Sequence, residues 1–181
     1  MTTPTDILRD EHQVILNALA VLESAAARLA AGAALPEGWW ERAVAWFRGF
    51  ADGCHHAKEE RSLFPAMARA GIPTDGGPIG VMLAEHEQGR ALIRAMMEED
   101  PGRRAAAARE YARLLRQHID KENGVLFPMA DAVLDEAVQR GLSREFEAVE
   151  VEQGPGASLL AAEAALARLT AALENHAGPC T

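Results

Sequence analysis

The chain writes one phrase twice. His55-His56-Ala57-Lys58-Glu59-Glu60-Arg61-Ser62-Leu63-Phe64-Pro65 returns as His118-Ile119-Asp120-Lys121-Glu122-Asn123-Gly124-Val125-Leu126-Phe127-Pro128. Aligned on Leu-Phe-Pro, His55 falls on His118 and Glu59 on Glu122, so each copy carries a His-x-x-x-Glu pair. On a helix, residues four apart share one face a turn apart. Two such helices facing each other bring two imidazoles and two carboxylates to one point. That donor set is a metal site, and its two carboxylates suit a pair of metals.

The first copy offers a rival frame, because His56 and Glu60 are also four apart. Their counterparts are Ile119 and Asn123, so a site of two equivalent halves uses His55 and Glu59. His56 is left as an accessory ligand or an outer hydrogen-bond donor. Two further histidines complete the set. His12 stands in a helical stripe with Leu8, Ile15, Leu16 and Leu19, and His86 shares a face with Met82, Leu83, Ile93 and Met97. A lone histidine on an apolar face is ordinarily a core residue with a hydrogen-bond partner. A carboxylate there is costly unless paired, and six such residues with an internal repeat favour the metal. His176, close to Gly178 and Pro179, reads as solvated.

The order His12, His55-x-x-x-Glu59, His86, His118-x-x-x-Glu122, with Leu-Phe-Pro after each pair, resembles the bacterial hemerythrin-like (HHE cation-binding) domains over roughly Asp6 to Asp131. The resemblance implies an antiparallel four-helix bundle around two iron ions with an oxo or hydroxo bridge from solvent. Carried over by position, His12, His55, His86 and His118 are terminal ligands, and Glu59 and Glu122 bridge. Oxygen carriers of this family have a fifth histidine and a His-x-x-x-x-Asp on the last helix. Here the last helix has His118-x-x-x-Glu122, and Met82 and Arg90 occupy the positions four either side of His86. The four-His, two-Glu set looks more like the members linked to iron-centre repair and to nitric-oxide or peroxide responses. It implies two accessible irons, fast oxidation, and only transient oxygenation.

The donor types suit iron, with manganese or zinc as substitutes. Neutral imidazoles and ionised carboxylates are required, so acid should weaken binding. Three functions follow. One is a non-heme di-iron protein that binds or senses O2, NO or peroxide, with or without weak peroxidase or catalase activity. Another is iron storage, donation or iron-centre repair. The third is a helical interaction module with a structural metal. Whether the chain is an enzyme stays open. Glu11, Glu85 and Asp52 are candidate acceptors that orient the imidazoles. Tyr111, seven residues before His118, is a donor to a bound ligand, an electron source, or a core residue.

Hydrophobic residues make up 49% of the 181 residues but aromatics only 5%. Alanine-rich runs such as Ala105 to Ala108 favour helix, and no alternating Val/Ile/Thr run marks a strand. The expected class is all-α, a single hemerythrin-like domain over 1–181, with a bundle over about 5–140 and a C-terminal helical extension over about 143–176. Expected helices run from a Thr5/Asp6 cap to about Ala31, from Trp39 to Ala70, from Ile79 to Glu98, and from Arg103 to Arg140, ended by Gly141. Pro65 and Pro128 should kink or end regular helix. A short helix capped by Ser143 and a last one over 158–175 follow. The apolar face of the last helix, with Leu159, Leu160, Ala164, Leu166, Leu169 and Leu173, should cover the bundle rather than pair with another chain.

The net charge of −9 argues against nucleic acid as a partner. No stretch matches an uninterrupted membrane span, and residues 1–6 lack the basic start and apolar core of a signal peptide. The expected location is cytoplasmic, with a small diatomic or peroxide ligand and no membrane partner. Cys54 and Cys180 lack metal-binding spacing and are expected reduced, Cys54 as a small buried apolar residue.

Overall fold

The computed structural model describes residues 2–176, all-helical and linked by short turns. Cys180, Gly178 and Pro179 lie outside the described residues. The α-helices are α1 (Pro4–Ala30), α2 (Trp39–Trp46), α3 (Phe64–Arg69), α4 (Pro78–Ala95), α5 (Pro101–Lys121), α6 (Phe127–Val133), α7 (Glu136–Gln153) and α8 (Leu159–His176). Between α2 and α3 the chain stays helical through π-wound segments at Phe47–His56 and Glu59–Leu63, and α5 passes into α6 through another at Glu122–Leu126.

The cap of α1 is Thr3, not Thr5 or Asp6. Its hydroxyl accepts from the Asp6 amide at 3.1 Å, and its own amide donates to the Asp6 carboxylate at 3.0 Å. This reciprocal box satisfies two groups that a helix start leaves open.

Both repeat prolines sit inside continuous helix, so neither ends it. A proline donates no amide hydrogen and crowds the carbonyl four residues back. The backbone answers by widening the preceding turn. The Phe64 amide reaches back five residues to the Glu59 carbonyl, and Phe127 does the same to Glu122. Such π turns are short inserts frequent at functional sites. The disturbance therefore falls on the two glutamates themselves.

The core divides into two apolar clusters. One contains Ile15, Leu19, Trp39, Phe47, Ile93, Tyr111 and Leu115. The other contains Leu8, Leu63, Phe64, Met67, Met82, Leu126, Phe127 and Phe146. The histidines and glutamates of interest lie between them along the chain, so four helical runs cross one polar belt. The first and third cross from the second cluster to the first, and the other two cross the opposite way.

The fourth run ends at Val133, short of the expected Arg140. Leu134 turns to extended backbone, and Asp135 caps α7 by accepting from the Val138 amide at 2.9 Å. Gly141 lies inside α7, and Ser143 is an interior residue whose hydroxyl donates to the Gln139 carbonyl. A helix-interior glycine is unfavourable by only about 1 kcal/mol, which burial of Leu142, Phe146 and Val149 offsets. The extension thus begins at Glu136, and α7 packs along α1 and the π-wound second run. Helix α8 covers α1 and α2. Its carbonyls at Leu169 and Ala162 accept from the Trp39 and Trp46 indoles at 2.8 and 3.0 Å.

Helix α1 is long and apolar enough by length and composition to cross a membrane, although charged residues such as Glu23 and Arg28 interrupt it. Its apolar face is used in the core through Leu8, Val14, Ile15, Leu19 and Leu22, on either side of His12.

Candidate metal centre

Each helical run delivers donors to the belt. His12 comes from α1; His55, His56 and Glu59 come from the second run. His86 comes from α4, and His118 and Glu122 come from the junction of α5 and α6. All seven are at most 3% exposed.

They form two adjoining groups. In one, His12, His55, Glu59 and Glu122 each offer a donor atom within 4.8 Å of the others; in the other, His56, Glu59, His86 and His118 do so. The carboxylates span the two. Glu59 points Oε1 at His55 Nε2 (3.8 Å) and Oε2 at His86 Nε2 (3.5 Å). Glu122 points Oε2 at His12 Nε2 (3.1 Å) and Oε1 at His118 Nε2 (3.2 Å).

The repeat leaves His56 as an accessory ligand or an outer donor, and the structure turns it toward the donors. Its ring stacks on His86 with centroids 3.8 Å apart, and it belongs to the donor group rather than to the periphery. The repeat treats the two halves as equal, but π winding turns both His55 and His56 inward. One half has two imidazoles and the other three.

Each of the five imidazoles turns Nδ1 outward to an oxygen acceptor. His12 meets Asn123 at 2.9 Å, His55 meets Glu11 at 2.8 Å, and His86 meets Glu60 at 2.7 Å. His118 meets Glu85 at 2.9 Å, and His56 meets Asp52 at a longer 3.4 Å. With Nδ1–H donating, each imidazole in its neutral form keeps the Nε2 lone pair for the interior. Glu11, Glu85 and Asp52 thus sit where sequence reasoning put them. Asn123 and Glu60 were missed, although they occupy one position of the repeat and do one job. Cations brace the acceptors: Lys58 on Glu11, Lys121 on Glu85, and Arg90 on both Asp52 (2.8 Å) and Glu60 (2.6 Å).

The Leu-Phe-Pro phenylalanines also act in parallel. Phe127 stacks on His12 at 5.3 Å and Phe64 on His86 at 5.9 Å. An approximate twofold therefore relates Glu11-His12 to Glu85-His86 and Lys58-Glu59-Glu60 to Lys121-Glu122-Asn123. It fails at Asp52, His56 and Arg90, whose counterparts are Leu115, Ile119 and Leu16.

The electrostatics are those of a site built for cations. Burial and the Glu122 charge push the Glu59 carboxyl well above the usual range. Burial pulls His55 down to about 4, and burial with the neighbouring imidazoles pulls His56 well down. Burial opposes protonation of His118 too, but the Glu122 and Glu85 carboxylates outweigh it and lift it to about 9. The inward nitrogens of His12 and His55 and all four oxygens of Glu59 and Glu122 are buried without hydrogen-bond partners. Orphaned buried polar atoms are rare, and six converging from three of the four runs fit a pair of metal ions.

Glu11, Cys54 and Glu150 make a third group of potential donors. The Lys58 ammonium already bonds both of its carboxylates, so it is an ion-pair cluster. Cys54 is buried, its Sγ 3.2 Å from the Ala157 carbonyl, and burial pushes its thiol up to about 12. Tyr111 is buried against Phe47, and its hydroxyl has no partner. His176 is exposed at the end of α8.

Comparison with known proteins agrees with this geometry. Uncharacterized proteins of Mycobacterium tuberculosis (strains H37Rv and CDC 1551) and of Mycobacterium bovis are 27% identical over 157 residues, covering 81% of this chain. The match covers 60% of the length of each relative. No solved structure gives a significant match. The family model of the hemerythrin HHE cation-binding domain matches residues 3–130, which takes in every donor of both groups. The chain belongs to the hemerythrin HHE cation-binding family.

Proposed function

We propose that this protein is a non-heme di-iron protein whose core is an antiparallel four-helix bundle, and that it binds or senses O2, NO or peroxide. The observation that carries this reading is the unequal pair of donor groups. Side chains offer four donors around His12 and His55, and five around His56, His86 and His118. Two irons bound there would supply a redox-active centre with more room for an exogenous ligand on the His12–His55 side. Full burial favours a resident pair over iron held for donation.

The protein's own groups have clear parts. Glu59 and Glu122 hold the two positions at fixed spacing through opposite oxygens. Asn123, Glu11, Glu60, Glu85 and Asp52 fix the tautomers and ring directions. Phe127 and Phe64 shield the outer faces of His12 and His86 from water.

Iron loading followed by NO titration tests the reading. Two irons per chain and uptake of one NO more tightly than a second are expected. Two bound irons that take up neither NO nor O2 would overturn it, as would a single metal per chain.

A further inference from the structure

Among the belt's ion pairs, one reaches beyond the matched domain. Lys58 is fully buried, and its ammonium bonds Glu11 on one side and Glu150 of α7 at 2.6 Å on the other. Glu11 in turn accepts from His55 Nδ1 at 2.8 Å. A continuous hydrogen-bonded chain thus runs Glu150–Lys58–Glu11–His55, from a half-buried carboxylate on the extension to an imidazole of the two-imidazole half. Phe146, also on α7, lies 5.8 Å from the ammonium.

The molecule contains its own comparison. The related triple Lys121–Glu85–His118 has the same bonds. No helix of the extension covers it, and the Lys121 side chain is 41% exposed where that of Lys58 is 0%. Water screens the lysine of one triple and not the other. Among the described residues, only the His55 side has its lysine held by a second carboxylate.

We infer that Glu150 is a positioning residue for the metal centre, acting through Lys58 and Glu11 to set how strongly His55 donates to its metal. The physical argument is a division of charge. A carboxylate accepting from Nδ1–H makes the opposite nitrogen a stronger donor. Lys58 draws negative charge away from that bond, and Glu150 competes for Lys58. Helix α7, outside residues 3–130, thereby belongs to the centre, and the two metals differ in tuning as well as in ligand number. This inference rests on the proposed metal reading.

Two single variants should act in opposite directions, which a purely structural role would not produce. In Glu150→Gln, Lys58 commits to Glu11, the Glu11–His55 bond weakens, and the His55 Nδ1–H proton resonance moves upfield. In Lys58→Met the bond strengthens and the resonance moves downfield. The double variant should match Lys58→Met alone, because Glu150 acts only through Lys58. In iron-loaded protein, chelator competition should show one metal of the two released about tenfold more readily in Glu150→Gln, the low end of the effect of such outer partners. The His118 resonance should stay in place.

Unmoved resonances in both single variants would overturn the inference, as would a Glu150→Gln shift that persists in the Lys58→Met background. A wild-type chain that binds no metal pair would instead defeat the proposed function. The proton resonances of the full-length metal-free chain would still decide the relay.

Discussion

Replacing His56 by isoleucine, the residue its repeat counterpart Ile119 supplies, separates metal binding from folding. His56 contributes one of five donors on the His86–His118 side. Loss of an outer partner alone typically lowers metal affinity 10- to 100-fold, so a direct donor should cost at least about 100-fold, or roughly 3 kcal/mol. The fold should barely notice. The His56–Asp52 contact is long at 3.4 Å, and Asp52 keeps Arg90 at 2.8 Å. The lost bond is worth under about 1 kcal/mol, and a buried isoleucine of similar size offsets it. The metal-free melting temperature should therefore move by no more than about 4 °C. Chelator competition should resolve one weakened and one retained metal, and thermal melting should follow the fold. Two metals held as tightly as in the wild type would refute the placement of His56 in the donor group.

Glu59→Gln should weaken both metals together, since its two oxygens face different halves; loss of one alone in a two-site titration would contradict this. Glu60→Ala, by contrast, should weaken one metal about 10- to 100-fold by freeing His86, without abolishing the pair. Metal loading at pH 7 should release protons, because His118 at about 9 carries one until metal displaces it; calorimetry in buffers of different ionisation enthalpy measures this, and zero release would refute it. His55, lowered to about 4 from an ordinary 6.5, makes metal-free stability fall as pH drops from about 6.5 towards 4, while His118, raised to about 9, makes it fall as pH rises from about 6.5 to 9. Proton resonances that place His55 above or His118 below the ordinary 6.5 would argue against these assignments. Asp135→Ala should remove the α7 cap and cost about 1 kcal/mol, or about 2–4 °C of melting temperature.

Much of this was legible in the chain because it was written in short-range terms. Periodicity and alanine content announced helices, and His55, Glu59, His118 and Glu122 stood out because they recur. The repeat alone left His56 between accessory ligand and outer donor, because a repeat argues from symmetry and regular winding, and the centre obeys neither. The cue lay in Pro65 and Pro128, expected to kink or end regular helix, which widen the turn before them. Asn123 and Glu60 were hidden because their partners lie on other helices, at separations of 111 and 26 residues. The end of the fourth run was misjudged because Gly141 outweighed the cap signal of Asp135. Lys58 was invisible as a core residue, since only folding shows that Glu150 comes back to meet it.

The polar belt that divides the apolar core has a consequence for assembly. A metal pair held by His12, His55 or His56, His86 and His118 ties together stretches far apart in the sequence, as crosslinks do, and no two of the helical runs suffice to hold it. One ion would therefore need three runs in register, and the pair would need all four. Capture then turns two apolar clusters, joined through a layer of charges, into one cooperative unit. Hydrogen exchange should record this as two sets of opening rates in the metal-free chain that merge into one, slower set once metal is bound.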